Sequence, residues 1–204
     1  MTKRFFVTGT GTGVGKTFVS AALASALEAD YWKPVQAGFA EGTDSEWVGK
    51  MSPATRIHPE VYKLSLPASP HLAARAEHLT IDLERIKNQL PATDRLIVEG
   101  AGGLLAPLND QEFVADLIRL LGLRVVLVSK NELGSINHSL LTASVCRQYG
   151  LDVAGWIFNG RYLDYESDIV RWSGLPKMAS LDQCDIVDPA AIARQSAILK
   201  KQLE

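Results

Sequence analysis

Cysteine is nearly absent: Cys146 and Cys184 are the only two, with no short spacing between them. Two such thiols support neither a disulfide scaffold nor a zinc site, and they suit a reducing cytoplasm. An excess of one charge is missing too. Lys and Arg number 21 against 23 Asp and Glu, a formal charge of −2, so the chain lacks the positive field that drives general nucleic-acid binding. No segment is apolar enough for a membrane span or a targeting leader. Phe5-Phe6-Val7 runs straight into Thr8-Gly9, and the most apolar later stretch, Leu117 to Val128, is cut by Arg119 and Arg124. Repeats and low-complexity tracts are lacking. The 204 residues, 47% hydrophobic and 22% charged, fall in the range of ordinary globular proteins and suffice to bury a core. One domain, residues 1–204, is expected.

The apolar pattern alternates between strand and helix. Phe5-Phe6-Val7 reads as a buried strand, followed by a glycine-rich turn and a helix from Lys16 to about Ala29 with Val19, Ala22, Leu23 and Ala26 on one face. Tyr31-Trp32 is a short strand stopped by Pro34. Residues 36–79, with prolines 53, 59, 67 and 70, predict loops and short helices. Thr80 is placed to cap a helix over 81–90. Strands are expected at 95–98, 124–128, 152–158 and, more briefly, 178–181. Helices are expected at 112–121, 136–149, 164–173 and from Ala190 onward. Apolar strands alternating with helices predict a doubly wound, mainly parallel α/β sheet with its loops gathered at the strand C-terminal edge.

The sharpest local signal is Gly9-Thr10-Gly11-Thr12-Gly13-Val14-Gly15-Lys16-Thr17, set between a strand and a helix. Glycines let successive backbone N–H groups, through Gly13, Val14 and Gly15, face one point, and the helix start adds partial positive charge. Lys16 can reach β- and γ-phosphate oxygens, and the Thr17 hydroxyl can ligate Mg²⁺. The loop is a variant. Thr10 holds the place of the usual first glycine, and Gly9 lies one residue further back. The context is that of a P-loop nucleoside triphosphatase fold.

Mg²⁺ beside a triphosphate calls for a carboxylate. Glu99 ends the apolar strand and enters Gly100-Ala101-Gly102-Gly103; Asp44 lies in Gly42-Thr43-Asp44-Ser45. On position alone Asp44 reads equally well as a helix-cap residue. Lys33, at the end of the second strand, is placed to stabilise a second anion beside the γ-phosphate, although position alone also suits a surface lysine.

The ordered set of motifs resembles the dethiobiotin synthetases of biotin biosynthesis. The resemblance runs through Val7–Thr17, Lys33-Pro34-Val35 with Gly38, Ser69-Pro70-His71, Val98–Gly103 with Pro107-Leu108, Leu133–His138, Leu141-Thr142-Ala143, Ala154-Gly155-Trp156 and Asn159. It implies an ATP-dependent ligase acting at the penultimate step of that pathway, converting 7,8-diaminononanoate, CO₂ and MgATP to dethiobiotin, ADP and phosphate. One amine captures CO₂ as a carbamate, the carbamate attacks the γ-phosphate, and the second amine closes the cyclic urea and expels phosphate.

By the same resemblance Thr17, Asp44 and Glu99 surround Mg²⁺, and Thr12 cradles phosphate or substrate. Lys33 contacts the carbamate and γ-phosphate, and Asn159 faces adenine. The enzyme is a homodimer in which the substrate carboxylate reaches the partner subunit near Gly134, Ser135, Ile136 and Asn137. Three departures stand out. Ala37 replaces a common Ser or Thr at a substrate contact, and Gly13 stands where some members carry an acid. Met178-Ala179-Ser180-Leu181 occupies the place of a Gly-x-Ile-Pro segment near the base.

Other readings of the residues are weaker. Ser129-Lys130-Asn131-Glu132 faintly echoes a guanine-reading Asn-Lys-x-Asp, but no Asp-x-x-Gly metal motif accompanies it. A partitioning-type ATPase would carry a signature lysine where this chain has Gly11. A related amide- or urea-forming ligase acting on another acid also fits the loop. His71 and His138 read as structural, and Trp32, Trp47, Trp156 and Trp172 as packing. Cys146 reads as core, and Arg119 and Arg147 as solvated helix faces.

Overall fold

The computed structural model describes residues 3–182, 184 and 186–203. From the N-terminus, β1 (Lys3–Gly9) feeds the glycine loop and α1 (Lys16–Leu27). Next come β2 (Asp30–Trp32), β3 (Val35–Ala37), α2 (Asp44–Met51), β4 (Ile57–His58), β5 (Tyr62–Leu64), α3 (Pro70–Ala76) and α4 (Leu83–Asn88). The second half is β6 (Arg95–Gly103), α5 (Val114–Leu121), β7 (Arg124–Lys130), α6 (Ser135–Gln148), β8 (Val153–Asn159), α7 (Tyr165–Ser173), β9 (Lys177–Leu181) and α8 (Pro189–Leu203).

Seven strands form one sheet in the order β4-β2-β6-β1-β7-β8-β9, and every pairing in it is parallel. Parallel strands need both faces covered, and side-chain alternation divides the apolar residues between two layers. Phe6, Leu96, Val98, Leu127, Trp156 and Phe158 point into one, packed with α4, α5 and α6. Val7, Ile97, Val126, Val128 and Ile157 point into the other, packed with α1 and α8. The helix that follows the glycine loop is therefore held by a fully apolar floor. Val19, Ala22, Leu23 and Ala26, the face expected from the sequence, are all buried there.

The order of strands places the site. The chain steps from β1 past one position to β2, returns with β6 between them, then runs the other way through β7, β8 and β9. The carboxyl ends of β1, β2 and β6 open side by side where the direction of winding reverses, the usual place for a crevice in an open parallel sheet.

Several expectations need correction. Within 36–79 the structure adds three short strands to the helices. β3 and β5 pair in parallel as a separate two-stranded sheet, and β4 edges the main one. Elements of two or three residues are too short for a periodicity to register. Thr80 does not cap α4. Asp82 does, its carboxylate accepting from the N–H groups of Glu84 and Arg85, because Ile81 turns fully into the core and delays the first helical turn. The 95–98 strand extends through the glycines to Gly103. Trp172 is 52% exposed, stacked under Arg171 rather than packed, whereas Trp32 and Trp156 are core residues.

Cys146 is buried in α6, and its thiol is pushed up to about 12 by that burial. Cys184 is partly accessible. Native protein should therefore show one thiol that reacts promptly with an aromatic disulfide reagent near neutral pH and a second that reacts only in denaturant. Two prompt thiols would contradict the packing of α6.

Candidate active site

The loop between β1 and α1 takes its form from glycine at two places. Gly13 and Gly15 have φ of 76° and 92°, in the left-handed region that other residues enter at a cost. At Gly15 a Cβ would stand 2.1 Å from the Asn159 side-chain nitrogen, which itself donates to the Val14 carbonyl at 3.0 Å. The end of β8 thus holds the loop from behind. Thr12 and Gly13 stand exposed at its crest. Lys16, only 7% exposed, lays its ammonium across the loop and donates to the Gly11 carbonyl at 2.8 Å.

Five further side chains meet in a cluster beside Lys16. The Thr17 hydroxyl is 2.9 Å from Glu99 Oε1 and 3.2 Å from Asp44 Oδ1. The Lys33 ammonium donates to Glu99 Oε1 at 3.0 Å and also to Asp44 Oδ2. Glu99 Oε2 accepts from the Tyr31 hydroxyl at 2.9 Å. Lys33 and Glu99 are 5% and 1% exposed, so Lys33 is a buried ion-pair member rather than a surface lysine. Asp44 is not the cap of α2. Thr43 caps it, in a reciprocal capping box with Glu46, and Asp44 occupies the first helical position with its N–H donated to Gln36 Oε1 at 3.2 Å.

Burial and charge pull on these groups in opposite directions. Burial pushes the Lys16 ammonium down to about 8, and neighbouring Lys33 adds to the effect against the carboxylates. Burial would lower Lys33 as well. Glu99 and Asp44, with the hydrogen bonds they accept, outweigh it and hold Lys33 above its ordinary value. Burial, then the Glu99 charge, raises the Tyr31 phenol well above its usual range, so it stays a proton donor to Glu99.

The cluster forms the polar end of a cleft of about 1010 Å³. Gly9–Gly13, Gly15, Lys16, Thr17, Lys33, Ala37, Asp44 and Glu99 line it, together with an apolar wall that includes Pro67, Leu104, Leu105, Leu141 and Val145. A second cavity, about 520 Å³, lies on the other side of Thr17 and Asp44 and is bounded by Phe18, Trp47, Asn159, Cys184 and Val187. Among the sequence-expected residues, Thr12, Gly13, Gly15, Lys16, Thr17, Lys33, Ala37, Asp44 and Glu99 meet in the first cavity, and Asn159 faces the second. Gly134, Ser135, Ile136 and Asn137 open α6 but do not line this chain's cleft.

Other residues at the site had no site role expected from the sequence. His138 and Thr142 also line the main cleft. Tyr31 donates to the Glu99 carboxylate, and Gln36 Oε1 accepts from the backbone N–H of Asp44. Only Thr43-x-x-Glu46 carried a readable signal, that of a capping box. Met178–Leu181 lies within β9; the residues that flank the second cavity, Cys184 and Val187, come after it. Asn131 gives its amide to the Gly160 carbonyl and Glu166, and Lys130 pairs with Glu132, so the faint guanine-reading echo is committed to internal contacts.

A glycine loop cradled by a helix start at the switch point of a parallel sheet, with a lysine and two carboxylates beside it, defines a P-loop nucleoside triphosphatase domain. Solved structures agree with that fold. A ParA family ATPase of Chlorobium tepidum superposes with a TM-score of 0.60 over 98% of this chain and 95% of that one, at 14% identity. MinD of Pyrococcus horikoshii, complexed with Mg-ADP, gives 0.57 over 96% and 95%, at 15% identity. The protein family described as "AAA domain" matches residues 3–191. Two proteins named ATP-dependent dethiobiotin synthetase BioD are much nearer in sequence. That of Paramagnetospirillum magneticum is 44% identical over 190 residues, 92% of each chain. That of Cytophaga hutchinsonii is 50% identical over 177 residues, 84% of each chain. The chain belongs to the ATP-dependent dethiobiotin synthetase family.

The depressed Lys16 value has a measurable consequence. A triphosphate bound against Lys16 would favour the charged ammonium and raise its pKa, so above about pH 8 such binding would take up a proton. Calorimetric titration with ATP at about pH 8.5, in buffers of different ionisation enthalpy, should show uptake of a large fraction of one proton, lost in Lys16→Met. The same variant should raise the melting temperature of the ligand-free protein by a few degrees, since it removes a charge held at a cost on the order of 1–3 kcal/mol.

Proposed function

We propose that this protein makes dethiobiotin from 7,8-diaminononanoate, CO₂ and ATP, releasing ADP and phosphate. The observation that carries the reading is Lys33. A nucleotide hydrolase needs the loop, its lysine and a carboxylate. A second, buried lysine held between two carboxylates in the wall of the cleft serves a second anion beside the γ-phosphate. The apolar wall that follows suits the hydrocarbon chain of the diamine.

In this reading one amine of the substrate takes up CO₂ and loses a proton to become a carbamate. A carbamate oxygen attacks the γ-phosphorus, the bond to the β-phosphate oxygen breaks, and ADP leaves. The second amine attacks the carbonyl carbon, the urea ring closes, and phosphate departs with the former carbamate oxygen. Lys33 holds the carbamate against the γ-phosphate and offsets the charge that both bring. Lys16 and the loop N–H groups hold the β- and γ-phosphates, with Thr12 at the crest of the loop facing the reacting groups. Binding both amines in one cleft makes ring closure effectively intramolecular. Catalysis is then electrostatic and positional, as in phosphoryl transfer generally.

The donor set fits Mg²⁺. The Thr17 hydroxyl and the carboxylates of Asp44 and Glu99 are hard oxygen ligands gathered at one point. Bound there with the nucleotide, the ion would supply charge neutralisation on the phosphate oxygens. No cluster of three or more acidic, His or Cys ligands occurs among the described residues. The remaining positions would therefore fall to phosphate and water, which ties metal binding to nucleotide binding.

We further place the base in the second cavity, beside Asn159. With one N–H committed to Val14, that side chain keeps an acceptor and a second donor. The start of α6 is proposed as the carboxylate site of a partner subunit in a homodimer. It offers helix N–H groups and a buried Ser135 hydroxyl with no partner among the described residues, next to the exposed Leu133 and Leu141. No helix among the described residues is long and apolar enough to cross a membrane, and a cytoplasmic setting suits the two unpaired thiols.

Mass spectrometry of a reaction containing the protein, MgATP, bicarbonate and the diamine, each omitted in turn, tests the proposal. Dethiobiotin and ADP should form together only in the complete mixture; ADP formed equally without the diamine would refute it. Lys33→Met should lower product formation by about a hundredfold or more while changing ATP affinity little, because it removes a contact made with the developing anion. A variant that lost ATP affinity alone would remove Lys33 from the substrate.

A further inference from the structure

Tyr31 is a buried titratable residue that the reaction above does not use. It lies on β2 opposite Ile97 of β6, two residues before Lys33, and is 0% exposed. Its ring packs in the layer formed by Val19, Ala22, Leu23 and Val48, where phenylalanine would fit without cost. A hydroxyl carried into such a layer is unfavourable unless it is hydrogen-bonded. Its partner is Glu99 Oε2, at 2.9 Å.

That contact divides the Glu99 carboxylate. Oε2 is taken from inside the protein by Tyr31. Oε1 alone faces Thr17 and Lys33 in the cleft. Among the described residues Tyr31 is the hydrogen-bond partner of Oε2, and without the phenol the carboxylate is held through Oε1 alone and is freer to turn about its last bond. The geometry points to Tyr31 as a positioning residue that fixes Glu99, through its hydroxyl, so that one oxygen is presented to the nucleotide-bound cation and to Lys33. The role rests on the reading of Glu99 as a cation-side carboxylate. Partners behind a metal ligand typically change metal affinity by about tenfold or more when removed.

Tyr31→Phe keeps the ring and removes only the oxygen. The measurement is calorimetric affinity for a non-hydrolysable ATP analogue, with Mg²⁺ and again with excess EDTA. The ratio of the two dissociation constants reports how strongly the protein couples cation to nucleotide. We expect Tyr31→Phe to shrink that ratio by about tenfold while the EDTA affinity stays as in the unaltered protein. Equal weakening under both conditions would mean a structural role and overturn the assignment. An unaltered ratio would overturn it as well, leaving the reading of Glu99 intact. No metal dependence in the unaltered protein would overturn both. A cycle with Glu99→Gln guards against a general loss of stability. In that background Tyr31→Phe should have no further effect on the ratio, and a second full loss would contradict the inference.

Discussion

A lysine held between two carboxylates under the phosphate loop is the contact on which the site depends. Lys33, Asp44 and Glu99 come from three separate stretches of the chain, and the buried Lys33 and Glu99 would each be costly alone where they stand. Burying a charge without its partner is strongly destabilising, whereas a satisfied buried pair is close to neutral for stability. The cluster is therefore better understood as function tolerated by the fold than as a source of stability. It keeps Lys33 protonated in a place where burial works against the charge, and it gathers oxygen ligands beside the hydroxyl of Thr17.

The rest of the architecture brings these groups together. The parallel sheet sends β1, β2 and β6 side by side to one edge, so the loop lysine, Lys33 and Glu99 arrive within reach of one another. The capping box at Thr43 begins α2 where Asp44 can complete the set. Asn159 at the end of β8 supports the loop from the opposite side of the helix start. Lys16 shows the same tension in a milder form. It has no carboxylate hydrogen bond to offset its burial and is pushed down to about 8.

Much of this could be read from the residues because long periodic elements and glycine punctuation are local signals. The strand–loop–helix around Lys16 and the apolar strands follow from patterns within ten to twenty residues, whereas the strand order that sets the switch point does not. Glu99 was legible because an acid follows an apolar strand and leads into glycines, and Asn159 through the family resemblance. What stayed hidden depends on contacts between distant segments. Asp44 could not be told from a cap without seeing Thr43 take that role, nor Lys33 from a surface lysine without seeing Glu99 beside it. Tyr31 looked like any core aromatic, since a hydroxyl's partner lies outside the strand pattern. β3 and β5 support each other across 24 intervening residues, Gly38 to Val61, and neither is long enough to show an alternation of its own. The start of α6 lies outside this chain's cleft, so its part in the site belongs to the proposed second copy.

The central chemical claim is that a carbamate oxygen, held by Lys33, attacks the γ-phosphorus of ATP. Oxygen labelling tests it directly. In a short reaction begun with ¹⁸O-bicarbonate, before exchange with water, phosphate released with dethiobiotin should carry one labelled oxygen derived from the bicarbonate. Unlabelled phosphate formed in step with dethiobiotin would contradict the account, since ATP would then be cleaved by water and the urea closed by another route.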